Sequence, residues 1–263
     1  MTTPTADVLA IANLLKRERF YRDTAQWELC RATFHPDASA THINVAWYEG
    51  NVDEFLRKSA HMHKGKVNII HASFDPVAIH VLGDRAISEA FCLVTSAVTL
   101  NGIDYELASH MRLFSRLRRL RLSDAQTQPP NPPNPNPSPN PNPNNHDDHQ
   151  PTSSSSSSNP QPNPDSASEW RILSVESSYV RDRLVTAFPH TSTSAGPDAT
   201  VPSALTADVQ AYPKAYRSLA LVMLTRGLKP RPDLPHEDEP DTVRRLADRN
   251  GEFLRNAEGR VVG

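Results

Sequence analysis

Apolar residues recur at three- and four-residue spacing through the start of the chain. This period predicts a helix over 6–34, carried by Val8, Leu9, Ile11, Ala12, Leu14 and Leu15 and then by Phe20, Trp27, Leu29, Cys30 and Phe34. His35-Pro36-Asp37 ends it, because a residue before proline is driven out of the helical region. A second helix is expected over 53–63, with Phe55, Leu56 and Ala60 on one side and Asn51 or Asp53 as its cap. Beyond it the period drops from 3.6 to 2. Strands are expected at 67–71, 74–82, 85–99, 104–120 and 169–181, with Gly83-Asp84 and Asn101-Gly102 as hairpin turns. The third and fourth are long for a flat sheet and imply strong curvature or a bulge. A helix pair followed by antiparallel strands predicts an α+β fold with helices covering one face of the sheet.

Composition breaks this pattern once. Residues 125–168 are almost wholly Pro, Asn, Ser, Gln and Asp and hold 13 of the 24 prolines, so they have almost nothing apolar to set against the entropy of ordering. They read as a disordered insert between the last two strands, where a loop lengthens at a cost that grows only logarithmically. A proline-rich tract can also be a ligand for other modules. The expected organisation is one domain over 1–185 interrupted by this insert, a polar linker over 186–204, and a helical extension over 205–258. In the extension Tyr216, Leu219, Ala220, Met223 and Leu224 mark one helix stopped by Gly227, and Val243, Leu246, Phe253 and Leu254 mark another. These helices are expected on the outside or mouth of the domain, or on a second subunit.

A net charge of -2 gives no electrostatic case for nucleic acid or an anionic membrane as partner. The basic run Arg116, Arg118, Arg119 and Arg121 reads as a solvated strand end. No apolar run is long enough to span a membrane, and the first residues lack the basic start and apolar middle of a secretory signal. Cys30 and Cys92 lie inside apolar patterns and read as buried thiols of a reducing compartment, which points to the cytoplasm. His61, His63 and His71 do not read as a metal site: no carboxylate or cysteine falls at ligand spacing, and helix residues two apart face different directions.

Four short motifs stand in a definite order: Phe20-Tyr21-Arg22-Asp23 with Trp27, then Phe34-His35-Pro36-Asp37-Ala38, Gly83-Asp84-Arg85-Ala86 and Trp170-Arg171-Ile172. In order and spacing, over roughly 8–185, the chain resembles the SnoaL-like branch of the NTF2-like superfamily. The resemblance implies an NTF2-like cone, with helices packed in the concave face of a strongly curved mixed or antiparallel sheet. The branch includes dehydratases, a dehydrochlorinase and polyketide cyclases. In its eliminating members an Asp on the first long helix pairs with a His at the start of a central strand, and Asp23 and His71 match those places. The implied activity is that of a dehydratase or cyclase, a lyase or isomerase without cofactor or metal, acting on a small cyclic or aromatic molecule. The alternative is a non-catalytic ligand-binding or dimerisation module of the same shape. A third, an oxygenase small subunit, needs an iron-bearing partner for which nothing in the chain argues. Relatives are often dimers or trimers, which implies a homo-oligomer.

The chemistry of such a pair is simple. Imidazole titrates near neutrality, so His71 can take a proton from carbon or hydroxyl and return it. A carboxylate on one ring nitrogen fixes the tautomer that leaves the other basic, and it stabilises the imidazolium. Other readings stay open: Asp23 as an exposed residue beside Arg19 or Arg22, His71 as a core histidine bonded to backbone. The alternate set Ser88, Ala90, Cys92, Val94 and Ser96 is small, as a cavity wall requires. Ser96 sits near where scytalone dehydratase carries a second histidine, a departure from that mechanism. Candidate substrate contacts are Ser96 and His110 from the strands, and Tyr21, His42, Trp47, Tyr48 and Tyr179 as hydrogen-bonding or stacking groups, each equally able to serve as packing.

Overall fold

A computed structural model describes residues 5–63, 69–76, 78–100, 102–121, 168–187 and 208–256. Residues 125–167 of the expected insert and 188–204 of the expected linker lie outside the described residues. The elements are helices and one seven-stranded mixed sheet, the α+β class expected from the change of period. No helix among the described residues is long and apolar enough to cross a membrane.

The single helix expected over 6–34 is two, α1 (Thr5–Asp23) and α2 (Trp27–Ala32). The break is a Schellman-type stop: Gln26 N–H donates to the Tyr21 carbonyl at 2.8 Å and Ala25 N–H to that of Arg22 at 3.3 Å, with Ala25 left-handed at φ 58°. Glycine usually fills that place. With alanine there, the apolar spacing runs straight through the break and hides it. The buried stripe of α1 starts apolar with Ile11, Leu14 and Leu15 and continues, at the same spacing, with Glu18 and Arg19. One helical face therefore begins as core and ends as chemistry.

Thr41 leads into two strands that the sequence pattern did not reveal, β1 (His42–Val45) and β2 (Tyr48–Gly50). They are too short to show a period. Then α3 (Val52–His63) buries Val52, Phe55, Leu56, Ser59 and His63 along one stripe, and Asn51 caps it by accepting the Glu54 N–H at 3.1 Å. Four antiparallel strands follow: β3 (Ile69–Phe74), β4 (Ala78–Leu82), β5 (Arg85–Leu100) and β6 (Ile103–Arg121). Leu82 pairs with Arg85 and Leu100 with Ile103, and Gly83 and Gly102 take the positive φ, 62° and 77°, that such tight turns need. β3 and β4 share one edge of β5, and β6 lines the other. The last strand, β7 (Ser168–Thr186), lies between β6 and β1, and β1 runs parallel to it.

Cys92, Val94 and Ser96 of β5 and Leu107, Ser109 and Met111 of β6 share the face that receives α1 and the cavity. After β7 come α4 (Arg217–Thr225) and α5 (Pro240–Arg255). The two part company. Leu219 and Val222 of α4 join Val98 and Leu107 on the cavity side, and Asp182 of β7 holds the start of α4 by accepting the Leu219 N–H at 2.6 Å. Val243 and Leu246 of α5 pack on Phe114, on the opposite face of the sheet.

Candidate active site

The site forms where the polar end of α1 meets the start of β3. A β-bulge between His71 and Ser73 shifts the register of β3 against β5, a device that re-aims side chains beside functional clefts. Asp23 is the last residue of α1, where the negative end of the helix dipole disfavours a carboxylate. Hydrogen bonds from His71 offset that penalty. Asp23 Oδ2 accepts the His71 backbone N–H at 2.7 Å, and Oδ1 lies 2.8 Å from ring Nδ1. The Asp23 carbonyl is capped in turn by His63 Nε2 at 3.1 Å, whose ring stands edge-on to Trp27.

An ionised carboxylate only accepts, so the ring proton of neutral His71 sits on Nδ1 and the lone pair on Nε2. Burial alone would raise the Asp23 carboxyl, but the ring and backbone hydrogen bonds from His71 outweigh it and hold the group below the usual carboxylate range. Burial pushes His71 down to about 4, against the pull of Asp23 and with help from the positive charges of Arg19 and Arg22. The imidazole is therefore neutral at pH 7. Its side chain is 4% exposed, and His71 lines a cavity of about 150 Å³.

That cavity is mostly apolar, with Val94, Leu107 and Met111 from the sheet and Val222 and Met223 from α4. Its polar end belongs to α1. Arg19 Nη1 lies 3.5 Å from His71 Nε2, at the outer limit of a hydrogen bond. Glu18, 0% exposed, fixes Arg19 by accepting from Nε, and Cys30 Sγ donates to Glu18 Oε1 at 3.7 Å. Burial would lower the Arg19 value, but Glu18 overrides it and keeps the guanidinium charged. Neither arginine was among the substrate contacts expected from sequence. The available signal was spacing: Arg19 and Arg22 stand four and one positions before Asp23, so Arg19 shares its face of the helix.

Of the substrate contacts expected from sequence, Trp47, Ser96 and Tyr179 line this cavity. Trp47 stacks on Phe55 with ring centres 5.3 Å apart. Tyr179 is buried and its hydroxyl oxygen accepts the Ala46 N–H at 3.0 Å, so it holds the wall as well as lining it. The other four lie outside the lining of the cavity. His110 lies on the opposite face of β6 from Ser109 and Met111, because side chains alternate along a strand. Tyr48 spends its hydroxyl on the Asn51 carbonyl at 2.7 Å and packs its ring on Phe55. His42 lies on β1 with its side chain half exposed, 3.8 Å from Glu49. Tyr21 packs against the core with its ring edge on Phe20, outside the cavity lining.

Residues 3–119 match the model of the SnoaL-like domain. No curated protein matches the chain. Among solved structures the chain is similar to an NTF2-like protein with a cystatin-like fold from Novosphingobium aromaticivorans, at 13% identity and TM-score 0.37 over 65% of this chain and 80% of that one. It is similar to a protein provisionally named a dehydratase, of the NTF2-like family, from Streptomyces avermitilis, at 16% identity and TM-score 0.35 over 44% of this chain and 88% of that one. A protein of unknown function from Mycobacterium tuberculosis gives 14% identity and TM-score 0.37 over 86% of this chain and 98% of that one. The matched residues 3–119 span Asp23, His71, Arg19, Arg22 and most of the sheet, and it is over that stretch that the chain is similar to the SnoaL-like domain.

Proposed function

We propose that the domain is an enzyme of the dehydratase or cyclase kind, a lyase or isomerase that works without a cofactor on a small cyclic or aromatic molecule. Domains of this family typically bind small molecules. The observation that carries the reading is the 2.8 Å contact between Asp23 Oδ1 and His71 Nδ1, which leaves Nε2 as the unprotonated nitrogen of a ring that lines the apolar cavity. Neutral Nε2 takes the proton from a carbon beside a carbonyl. Arg19 stands beside Nε2, where negative charge develops on the carbonyl oxygen, and steadies it in a site of low dielectric. Asp23 stabilises the imidazolium, which then returns its proton to a hydroxyl leaving from the same face. Trp47, Ser96 and Tyr179 are the wall residues that shape the pocket. The free, buried thiols of Cys30 and Cys92 support a reducing, cytoplasmic setting.

One observation favours a second reading, a module that holds a ligand without turning it over: Arg19 Nη1 faces the lone pair a base would use. A panel of hydroxylated carbonyl compounds separates the two. Turnover is measured for the native protein and for His71→Ala and Asp23→Asn, and binding is followed by titration calorimetry. Lost turnover with retained binding is the expected result. Turnover of an accepted compound that neither substitution alters overturns the catalytic role.

A further inference from the structure

The polar end of the cavity has more donors than acceptors. Two carboxylates and two guanidiniums meet there, but Glu18 is engaged by Arg19 and both oxygens of Asp23 are engaged by His71. Arg22 is left over. Its guanidinium lines the cavity and lies 4.9 Å from the centre of the Phe55 ring, yet it has no hydrogen bond or ion pair among the described residues. Burial, and then the charge of Arg19 beside it, weigh against its positive form. A guanidinium at the wall of a largely apolar hollow, with no acceptor of its own among the described residues, can take a planar anion with two parallel bonds.

A second group in the same position comes from the sheet. Ser109 is 3% exposed, lines the cavity, and its hydroxyl has no partner among the described residues. Cross-strand register fixes where it stands: His71 pairs with Val94 and Val94 with Ser109, so the three form one row. With strands about 4.8 Å apart, Ser109 stands roughly 10 Å from His71 along that row. His71 and Ser109 thus stand at two separated places along this row, with apolar Val94 between them. The cavity's volume, about 150 Å³, is that of a hollow that takes one benzene-sized ring.

We propose that the ligand of this cavity is an organic acid of one-ring size, its carboxylate held by Arg22 and a second oxygen on the ring held by Ser109. This names the substrate class of the proposed acid/base site and rests on that reading. The acid group anchors the molecule at the α1 end and leaves the ring over Val94, within reach of His71. Exposed Arg226, at the end of α4, also lines the cavity and adds positive charge on the approach.

Titration calorimetry with benzoate and benzamide tests the anchor, because the two share shape and differ in charge. Benzoate binding at least about tenfold tighter is expected, with the gap closing to about threefold or less in Arg22→Gln. 4-Hydroxybenzoate is expected to bind tighter than benzoate to the native protein but not to Ser109→Ala. Equal or tighter binding of benzamide, or no saturable binding of either compound, overturns the proposal, and this comparison on the native protein needs no variant to fold. Failure here is separable from failure of the catalytic reading. His71-dependent turnover of neutral compounds without preference for acids would sink the anchor and leave the chemistry standing. A preference for acids without turnover of any compound would support the anchor and sink the chemistry.

Discussion

Asp23 grips His71 with both carboxylate oxygens, one on the backbone N–H at 2.7 Å and one on the ring at 2.8 Å. The residue therefore sets the place of β3 as well as the tautomer of its histidine. Asp23→Asn separates these roles. The amide oxygen can still take the backbone N–H, but its NH₂ donates to Nδ1 and moves the ring proton to Nε2, where the base is needed. Turnover is expected to fall by about 10³- to 10⁴-fold, as with a mis-set tautomer in a serine protease, while circular dichroism stays unchanged. A loss of less than tenfold would mean that the tautomer does not matter.

Acid should weaken the fold through His71. Its folded value, about 4, lies below the ordinary 6.5, so between those limits the unfolded chain holds a proton that the folded chain lacks. Stability rises with pH across that window and is lost as pH falls through it. Asp23, also lowered, adds a loss of the same sign at lower pH. Unfolding free energies from denaturant titrations at pH 7.5 and pH 5 should differ by about 2 kcal/mol from His71 alone. His71→Asn should flatten the slope, and, on the proposed function, kcat/KM of the native protein should hold level down to about pH 5 before its acid limb near 4.

Ala25 carries a left-handed backbone that disfavours any side chain with a Cβ. Ala25→Gly is expected to stabilise the protein by roughly 0.5–1 kcal/mol, the relief of strain exceeding glycine's extra entropy in the unfolded chain. Thermal unfolding reads the gain. A drop in the midpoint would refute the account of this helix stop.

Glu18 has no solvent to fall back on. Glu18→Leu leaves the Arg19 guanidinium buried without its counter-charge, a change expected to cost about 3–5 kcal/mol and to lower Tm by roughly 10 °C. Replacing both, as Glu18→Leu with Arg19→Met, should restore most of the loss, since an apolar pair needs no compensation. If the double variant is as unstable as the single one, the pair is not what costs the energy.

The candidate site was only half legible. Asp23 and His71 could be named because residue type and motif order survive in a linear string, and Ser96 and Trp47 because small and aromatic residues suit a wall. His110 misled because strand parity is undetermined until a neighbour fixes it, and β6 carries usable residues on both faces. Arg22 and Ser109 were passed over because nothing in a sequence marks a polar side chain as lacking a partner. The stop after Asp23 was invisible because its turn is built with alanine where glycine normally gives the sign.

By itself the sequence determined the succession of helix and strand periods, the two hairpin turns that need glycine, and hence the α+β class, all of which follow from contacts within a few residues along the chain. The tertiary structure decided which donors were left without acceptors. It brought the end of α1 against a bulge in β3, set His71, Val94 and Ser109 in one row, ran β1 parallel to a strand far along the chain, and sent α4 to the cavity and α5 to the other face. Those outcomes rest on register and on pairing across long separations, where energies are shared among many groups and no local pattern carries them.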